Sequence, residues 1–272
     1  MIRFARSARL TSFMQRNRAT SLMARKFVAG RDAAQAVKLA GELSSTLGMR
    51  SSLFYLGEYV DRPELVAENV ASKLAVIERL ESSGLDIHVS VDPTQIGQSL
   101  DASLARANAL RIADRLRRAA GALQAYLRRT ASDLRAHIDA GSRVRLVKGA
   151  FVGDAGSAYV NQDEIKANYR RLVELMFSHA AKAASFYPIV ATHDDRIQEF
   201  AIDGARRNGW RAGQYEFEML LGVRSDVAQA LARRGERVRL YVPFGRDWWP
   251  YAVRRIGENP RNALLLARSL ID

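Results

Sequence analysis

The chain has 272 residues, 48% hydrophobic and 26% charged, an ordinary globular balance with enough apolar material for a large core. No apolar run approaches the ~20 residues that span a bilayer, and the absence of cysteine excludes disulfides, thiolate metal sites and a cysteine nucleophile. The formal net charge of +13 points toward anionic ligands, an anionic lipid surface or nucleic acid.

Much of that charge lies at the start, where residues 1–27 carry seven Arg or Lys and no acid. Segment 1–30 reads as a basic amphipathic helix that rests on the domain or on a lipid surface. That reading is preferred over an Arg- and Ser-rich transit peptide and over a nucleic-acid arm. The basic residues are not interleaved with stacking aromatics and no recognition motif accompanies them, so no nucleic-acid partner is expected. No low-complexity linker divides the remainder, and 31–272 reads as one domain.

From about residue 33, short apolar runs alternate with longer stretches of helical period. The predicted strands fall at 52–57, 86–91, 122–127, 143–149, 187–193, 215–222 and 237–243. In the stretch 164–184, Ile165, Tyr169, Leu172, Met176 and Ala180 share one helical face. Repeated strand–helix alternation predicts parallel strands joined by crossover helices. An open doubly wound sheet normally carries a Gly-rich phosphate loop after its first strand, and this sequence has none. Glu58, Asp92, Lys148, His193 and Gly245 all lie at or just past the carboxyl ends of different strands. A closed barrel gathers those ends on one active face. The expected fold is therefore an α/β, TIM-type (βα)8 barrel preceded by N-terminal helices, although only seven strands are legible.

Three segments carry candidate chemistry. RLVKGA (145–150) ends a strand with the Lys148 cation and a small, flexible pair, which suits close approach of a flat or anionic ligand. Taken alone, it fits equally a strand closed by a solvated lysine and a turn glycine. ATHD (191–194) ends another strand with a histidine able to bond a cofactor or move a proton, or simply with a capping aspartate. His88, His137 and His179 show no metal-ligand spacing. The segment 241–262 crowds Trp248, Trp249 and Tyr251 against the adjacent Arg254 and Arg255. Paired guanidinium forks suit bidentate capture of a carboxylate, and aromatic faces suit an apolar ring. On a helix Tyr251 and Arg255 share a face, as do Arg254 and Glu258. No GxGxxG, P-loop, HExxH or serine-centred elbow is present.

Read together, FVAG (27–30), LGE (56–58), VSVDPTQIG (89–97), LQAYLRRT (123–130), RLVKGAF (145–151), ATHD, FEMLLGVR (217–224) and the 241–262 block resemble the proline dehydrogenase family, in family order. The resemblance implies a barrel holding FAD at its carboxyl face through Gln124, Lys148, Gly149, Ala150, Thr192 and His193, with Arg145 as the catalytic residue near the reactive flavin edge. It implies that Arg254 and Arg255 bind the substrate carboxylate, with Tyr241 and Tyr251 against the pyrrolidine ring and Glu58 gating the site through Arg254. The implied reaction is oxidation of L-proline, or a related cyclic amino acid, to pyrroline-5-carboxylate. Hydride passes to the flavin and then to a membrane quinone, which suits a cytoplasmic, non-spanning protein able to rest at the inner membrane.

Two features depart from the family pattern. Asp92 stands where the family usually has a lysine in the substrate pocket, a reversal worth on the order of 4 kcal/mol of repulsion against an anionic group before relaxation. Between 111–118 and 123–130 the chain lacks roughly 30 residues, about one strand-and-helix repeat. The missing strand carries an aspartate that the family uses at its active site. A degenerate barrel that binds flavin or a partner without turnover is the alternative reading.

Overall fold

The computed structural model describes residues 24–57, 60–81, 83–115, 120–149 and 154–257. Within them, each predicted strand is found. They are β1 (Arg50–Tyr55), β2 (Ile87–Ser90), β3 (Gly121–Gln124), β4 (Arg143–Val147), β5 (Tyr187–Ala191), β6 (Glu216–Leu220) and β7 (Val238–Phe244). Helix α1 (Ala33–Leu47) precedes β1, and α2 (Pro63–Glu81) follows it. Next come α3 (Ala102–Ala113) after β2, α4 (Thr130–Asp139) after β3, and α5 (Gln162–Met176) with α6 (His179–Ala183) after β4. The last three are α7 (Asp195–Arg207), α8 (Ser225–Arg233) and α9 (Trp248–Gly257), each following the next strand in turn. None of the described helices is long and apolar enough to cross a membrane.

Local chemistry sets these boundaries. Asp32, Asp101, Asn161, Ser178 and Asp194 cap helix starts by accepting backbone N–H bonds. Gly48 ends α1 in the left-handed region at φ 63°. Strand β3 stops at Gln124, three residues short of the predicted 127, because Ala125–Leu127 turn into α4, with the Thr130 hydroxyl donating to the Gln124 carbonyl. The predicted 164–184 helix is likewise broken at Phe177, so Ala180 belongs to α6 and not to the face of Ile165, Tyr169, Leu172 and Met176.

The strands are hydrogen-bonded in the order β2-β1-β7-β6-β5-β4-β3. The β1–β2, β3–β4, β4–β5 and β5–β6 pairs are parallel. First and last strands are neighbours, and the order otherwise follows the sequence. An open doubly wound sheet reverses direction from a central strand, whereas a (βα)8 barrel runs cyclically. The observed order is the cyclic one, interrupted where a repeat would stand between β2 and β3. Among the described residues β2 pairs only with β1, and β3 only with β4. This is a shortened TIM-type α/β fold.

The chain divides into two compact units. The first contains the N-terminal part to Arg117, Leu220–Val223 and the chain from Leu240; the second contains Arg118–Met219 and Arg224–Arg239. In the first, Val66, Val70, Ile77, Ile96, Ala105 and Ile112 form one apolar cluster. A second cluster joins Ala24, Phe27 and Val28 to Leu56, Trp248, Trp249, Tyr251 and Ala252. In the second unit Val144, Leu146, Ile189, Val190 and Phe217 are fully buried. Edge-on ring contacts link Phe177 to Trp210 and Tyr215 at 5.5 and 5.1 Å, with the Trp210 indole donating to the Phe177 carbonyl at 2.9 Å.

Candidate active site

The residues expected to hold flavin all fall in the second unit, and strand register brings the described ones to the same end of three adjacent strands. Gln124 pairs with Val147, which pairs with Ala191. Gln124, Val147 and Ala191 therefore stand side by side at the carboxyl ends of three adjacent strands, with Lys148 and Thr192 one residue further on and Gly149 and His193 two. Helix α5 fixes those ends from behind. Its Asn168 amide donates to the Ala125 carbonyl at 2.6 Å, and the Tyr169 hydroxyl donates to Leu146 and shares the Ala191 carbonyl at 2.8 and 3.2 Å. Burial pushes the Tyr169 phenol far above its ordinary value, so it remains a donor. Gln162, at the start of α5, accepts from Lys148 Nζ at 2.6 Å. Thr192 Oγ1 accepts from the Asp194 N–H at 3.1 Å, and Asp194 in turn caps α7. Ala150 lies outside the described residues.

Gly149 has φ 96°, a region that L side chains rarely adopt, and a Cβ there would overlap the Tyr126 ring. The Tyr126 backbone cannot easily yield, because its N–H donates to the Lys148 carbonyl and its carbonyl accepts from Tyr159 at 2.7 Å. Gly149→Ala is expected to cost about 1–3 kcal/mol from the backbone alone and to weaken flavin retention. Thermal melting and a flavin-fluorescence titration of the variant would check both; unchanged values would mean that the loop relaxes freely.

Arg145 projects from β4 with Arg143 and Val147, on the face opposite the buried Val144 and Leu146. Its Nη1 donates to Glu218 Oε1 at 2.9 Å, a carboxylate with only 3% of its side chain exposed. The pair spans β5, whose Ala191 lies opposite Glu218 and leaves room for the bridge. Below it, at the amino ends of the strands, Arg239 clamps Glu216 through two bonds of 2.7 and 3.2 Å, both side chains wholly buried. Tyr187 joins Glu216 to Arg237, and the Arg143 guanidinium sits 4.1 Å from the Tyr187 ring centroid. Sequence reasoning assigned no role to Glu216, Glu218 or Arg239. The sequence shows only charge at alternate positions of an otherwise apolar strand, a pattern that reads as a solvated face until the fold covers it.

The expected substrate residues fall in the first unit. Tyr241 stacks on Phe54 at 5.4 Å, and the Arg255 guanidinium lies 5.3 Å from the Tyr251 ring centroid. Arg254, one position along the helix, is exposed. Trp248, Trp249 and Tyr251 are no exposed aromatic patch: at 5%, 3% and 7% exposure they belong to the core cluster with Phe27 and Leu56. The turn after β7 is tight, so these bulky rings fold back on the apolar Ala24–Val28 segment, leaving the arginines at the rim. Asp92 accepts from the Thr94 N–H and hydroxyl at 2.9 and 2.7 Å, capping a short 3-10 turn at Pro93–Ile96. Glu58 and Glu258 lie outside the described residues, as do residues 1–23 of the basic segment.

The proline dehydrogenase family model matches residues 13–268. A proline dehydrogenase of Deinococcus radiodurans is 32% identical over 289 positions, covering 92% of this chain and 90% of the relative. Proline dehydrogenase 1 of Bacillus subtilis subsp. natto is 31% identical, with coverages of 93% and 92%. An alignment of 289 positions exceeds the 272 residues of this chain, so the Deinococcus relative carries segments that are absent here. Among solved structures, proline utilization A from Bdellovibrio bacteriovorus superposes with a TM-score of 0.73 at 18% identity, over 90% of this chain. The protein of the same name from Corynebacterium freiburgense gives 0.72 at 20% identity, over 95% of it. The chain spans about a third of the length of those two proteins, and the likeness establishes the fold. Strand order, motif order and sequence similarity agree, and the chain belongs to the proline dehydrogenase family of oxidoreductases.

Proposed function

We propose that this protein oxidises L-proline, or a closely related cyclic amino acid, to pyrroline-5-carboxylate with FAD as cofactor and a membrane quinone as onward acceptor. The observation that carries this reading is the clustering of Gln124, Lys148 and Thr192 within one residue of the same level on three adjacent strand ends, beside the Arg145–Glu218 pair. The donor set fits FAD. Lys148 and Arg145 offer positive charge to a pyrophosphate and an electron-rich ring, the Gln124 amide and Thr192 hydroxyl offer neutral hydrogen bonds, and Gly149 lets the backbone approach closely. Bound there, FAD supplies the two-electron acceptor for a hydride leaving proline C5.

The chain's own residues do the rest. Arg145 orients the reacting edge, held in place by Glu218. Arg255, with Tyr251 beneath its guanidinium, fixes the substrate carboxylate together with Arg254, and Tyr241 packs against the ring. Such clamps raise rate by positioning the reacting carbon. The basic start of the chain suits an anionic membrane surface, where the quinone resides.

Colour tests the reading: protein purified with FAD should be yellow, bleach on anaerobic addition of L-proline and yield pyrroline-5-carboxylate. A protein that takes up no FAD on reconstitution would overturn it. Losing one fork of a buried charge-assisted pair costs about 2–5 kcal/mol. Arg255→Ala should therefore raise KM for proline far more than the exposed Arg207→Ala, and equal small effects would remove Arg255 from the site. One observation favours a second reading. Among the described residues β2 and β3 each have one strand neighbour, which fits a barrel that binds flavin without turnover; yellow protein that proline does not bleach is its signature.

A further inference from the structure

Lys73 is a buried cation that the reaction above does not use. It projects from the inner face of α2, in step with Val66, Val70 and Ile77, and is 1% exposed. Its Nζ donates to Gln95 Oε1 at 2.7 Å, and it stands 5.9 Å from the Tyr55 ring centroid. Gln95 is held in turn, its Nε2 donating to the Tyr55 and Gly57 carbonyls at 2.8 and 3.1 Å. A neutral amide does not compensate a buried ammonium, which requires an opposite charge nearby. Gln95 lies in the 3-10 turn that Asp92 caps, so lysine and aspartate are fastened to the same four-residue turn. Burial lowers the lysine to about 8, and Asp92 pulls in the opposite direction. The other group near the lysine, Tyr55, donates to Glu68 at 2.9 Å; burial, and the charges of Glu68 and of Asp247 after β7, push its phenol up to about 12. It stays neutral across the range considered.

We propose that Lys73 is the resident counter-cation of Asp92, a specificity-determining pair that lets the end of β2 carry a carboxylate and still receive an anionic substrate group. The charge at the strand end is reversed, and the compensating charge comes from the helix behind it. This rests on the proline reading of the site. Protonated Lys73 masks Asp92 at neutral pH. Above pH 8 the lysine is neutral, Asp92 stands uncompensated, and an anionic ligand is repelled. Stability responds in the opposite sense. The folded state binds fewer protons than the unfolded state between about 8 and the ordinary lysine value of 10.5, so stability rises across that window.

A double-mutant cycle on the FAD-reconstituted full chain tests the pair, using Lys73→Met, Asp92→Asn and both together. Asparagine caps a turn as well as aspartate, so Asp92→Asn removes charge and keeps the cap. At pH 7, Asp92→Asn should lower Tm when Lys73 is present and have little effect in the Lys73→Met background. Lys73→Met should raise KM for L-proline by about tenfold, more than it lowers kcat, and Asp92→Asn should reverse that rise. The wild-type KM should climb as pH passes 8, and the climb should vanish in Asp92→Asn. Equal effects of Asp92→Asn in both backgrounds, on Tm and on KM, would overturn the pairing. If the wild type neither binds nor oxidises proline, the functional reading falls, and the melting cycle alone decides the pair.

Discussion

Arg239→Met should be the most damaging single substitution in the second unit, lowering stability by about 3–5 kcal/mol, or Tm by on the order of 10 °C. Arg239 and Glu216 have no exposed side-chain surface and meet in a two-pronged geometry. Removing the guanidinium leaves a carboxylate sealed inside the sheet, where water cannot replace the lost bonds. Tyr187 offers one bond at 3.4 Å, too long to compensate. Desolvation and the Glu216 charge both push the Tyr187 phenol up, against the Arg237 and Arg143 charges that pull it down. The pair is nonetheless a costly way to fill space, since two charges had to leave water. Arg239→Met combined with Glu216→Leu should therefore recover much of the loss, because an apolar pair of similar volume has no charge to desolvate. Thermal melting of the two variants decides: a double variant as damaged as the single would show that the pair supplies more than charge balance.

The seven strands were legible because apolar runs at alternating spacing survive any environment. The cyclic order followed from polar residues placed at strand ends. The charge ladder was not legible. RVRLV and YEFEM read as strands with one solvated face, and only the fold shows that this face is covered, so that Arg145 and Glu218 must meet. Lys73 escaped for a similar reason, since a lysine on an amphipathic helix reads as solvent-facing. Its spacing from Val66, Val70 and Ile77 was the available signal. The aromatic cluster misled in the other direction. Trp248 and Trp249 beside two arginines look like a ligand cage, yet their partners are Ala24, Phe27 and Val28, more than 200 positions earlier in the chain. Tyr169 was read as apolar helix surface and does bury its ring, but its hydroxyl also ties the ends of β4 and β5, which periodicity cannot reveal.

The two halves of the Arg145–Glu218 pair should respond unequally to neutralisation. Arg145 keeps about a fifth of its side chain exposed, whereas Glu218 keeps 3%. Glu218→Gln leaves a guanidinium that can turn toward water, and its amide still accepts the 2.9 Å bond. Arg145→Met leaves a nearly buried carboxylate without this guanidinium, so it should destabilise the protein more, by about 2–4 kcal/mol once the exposure of the arginine is discounted. Flavin properties should separate the variants along a different axis. Glu218→Gln strips the negative charge beside Arg145, leaving the region more positive, and reduced flavin is favoured by nearby positive charge. Its flavin reduction potential should move upward, while Arg145→Met moves it downward. In an Arg145→Met background, adding Glu218→Gln should recover stability because no uncompensated carboxylate remains. Melting curves and spectroelectrochemical titrations of the three variants would measure both axes. Equal destabilisation by the two single changes, or potentials that shift in the same direction, would mean that the pair does not act on the flavin site as a unit.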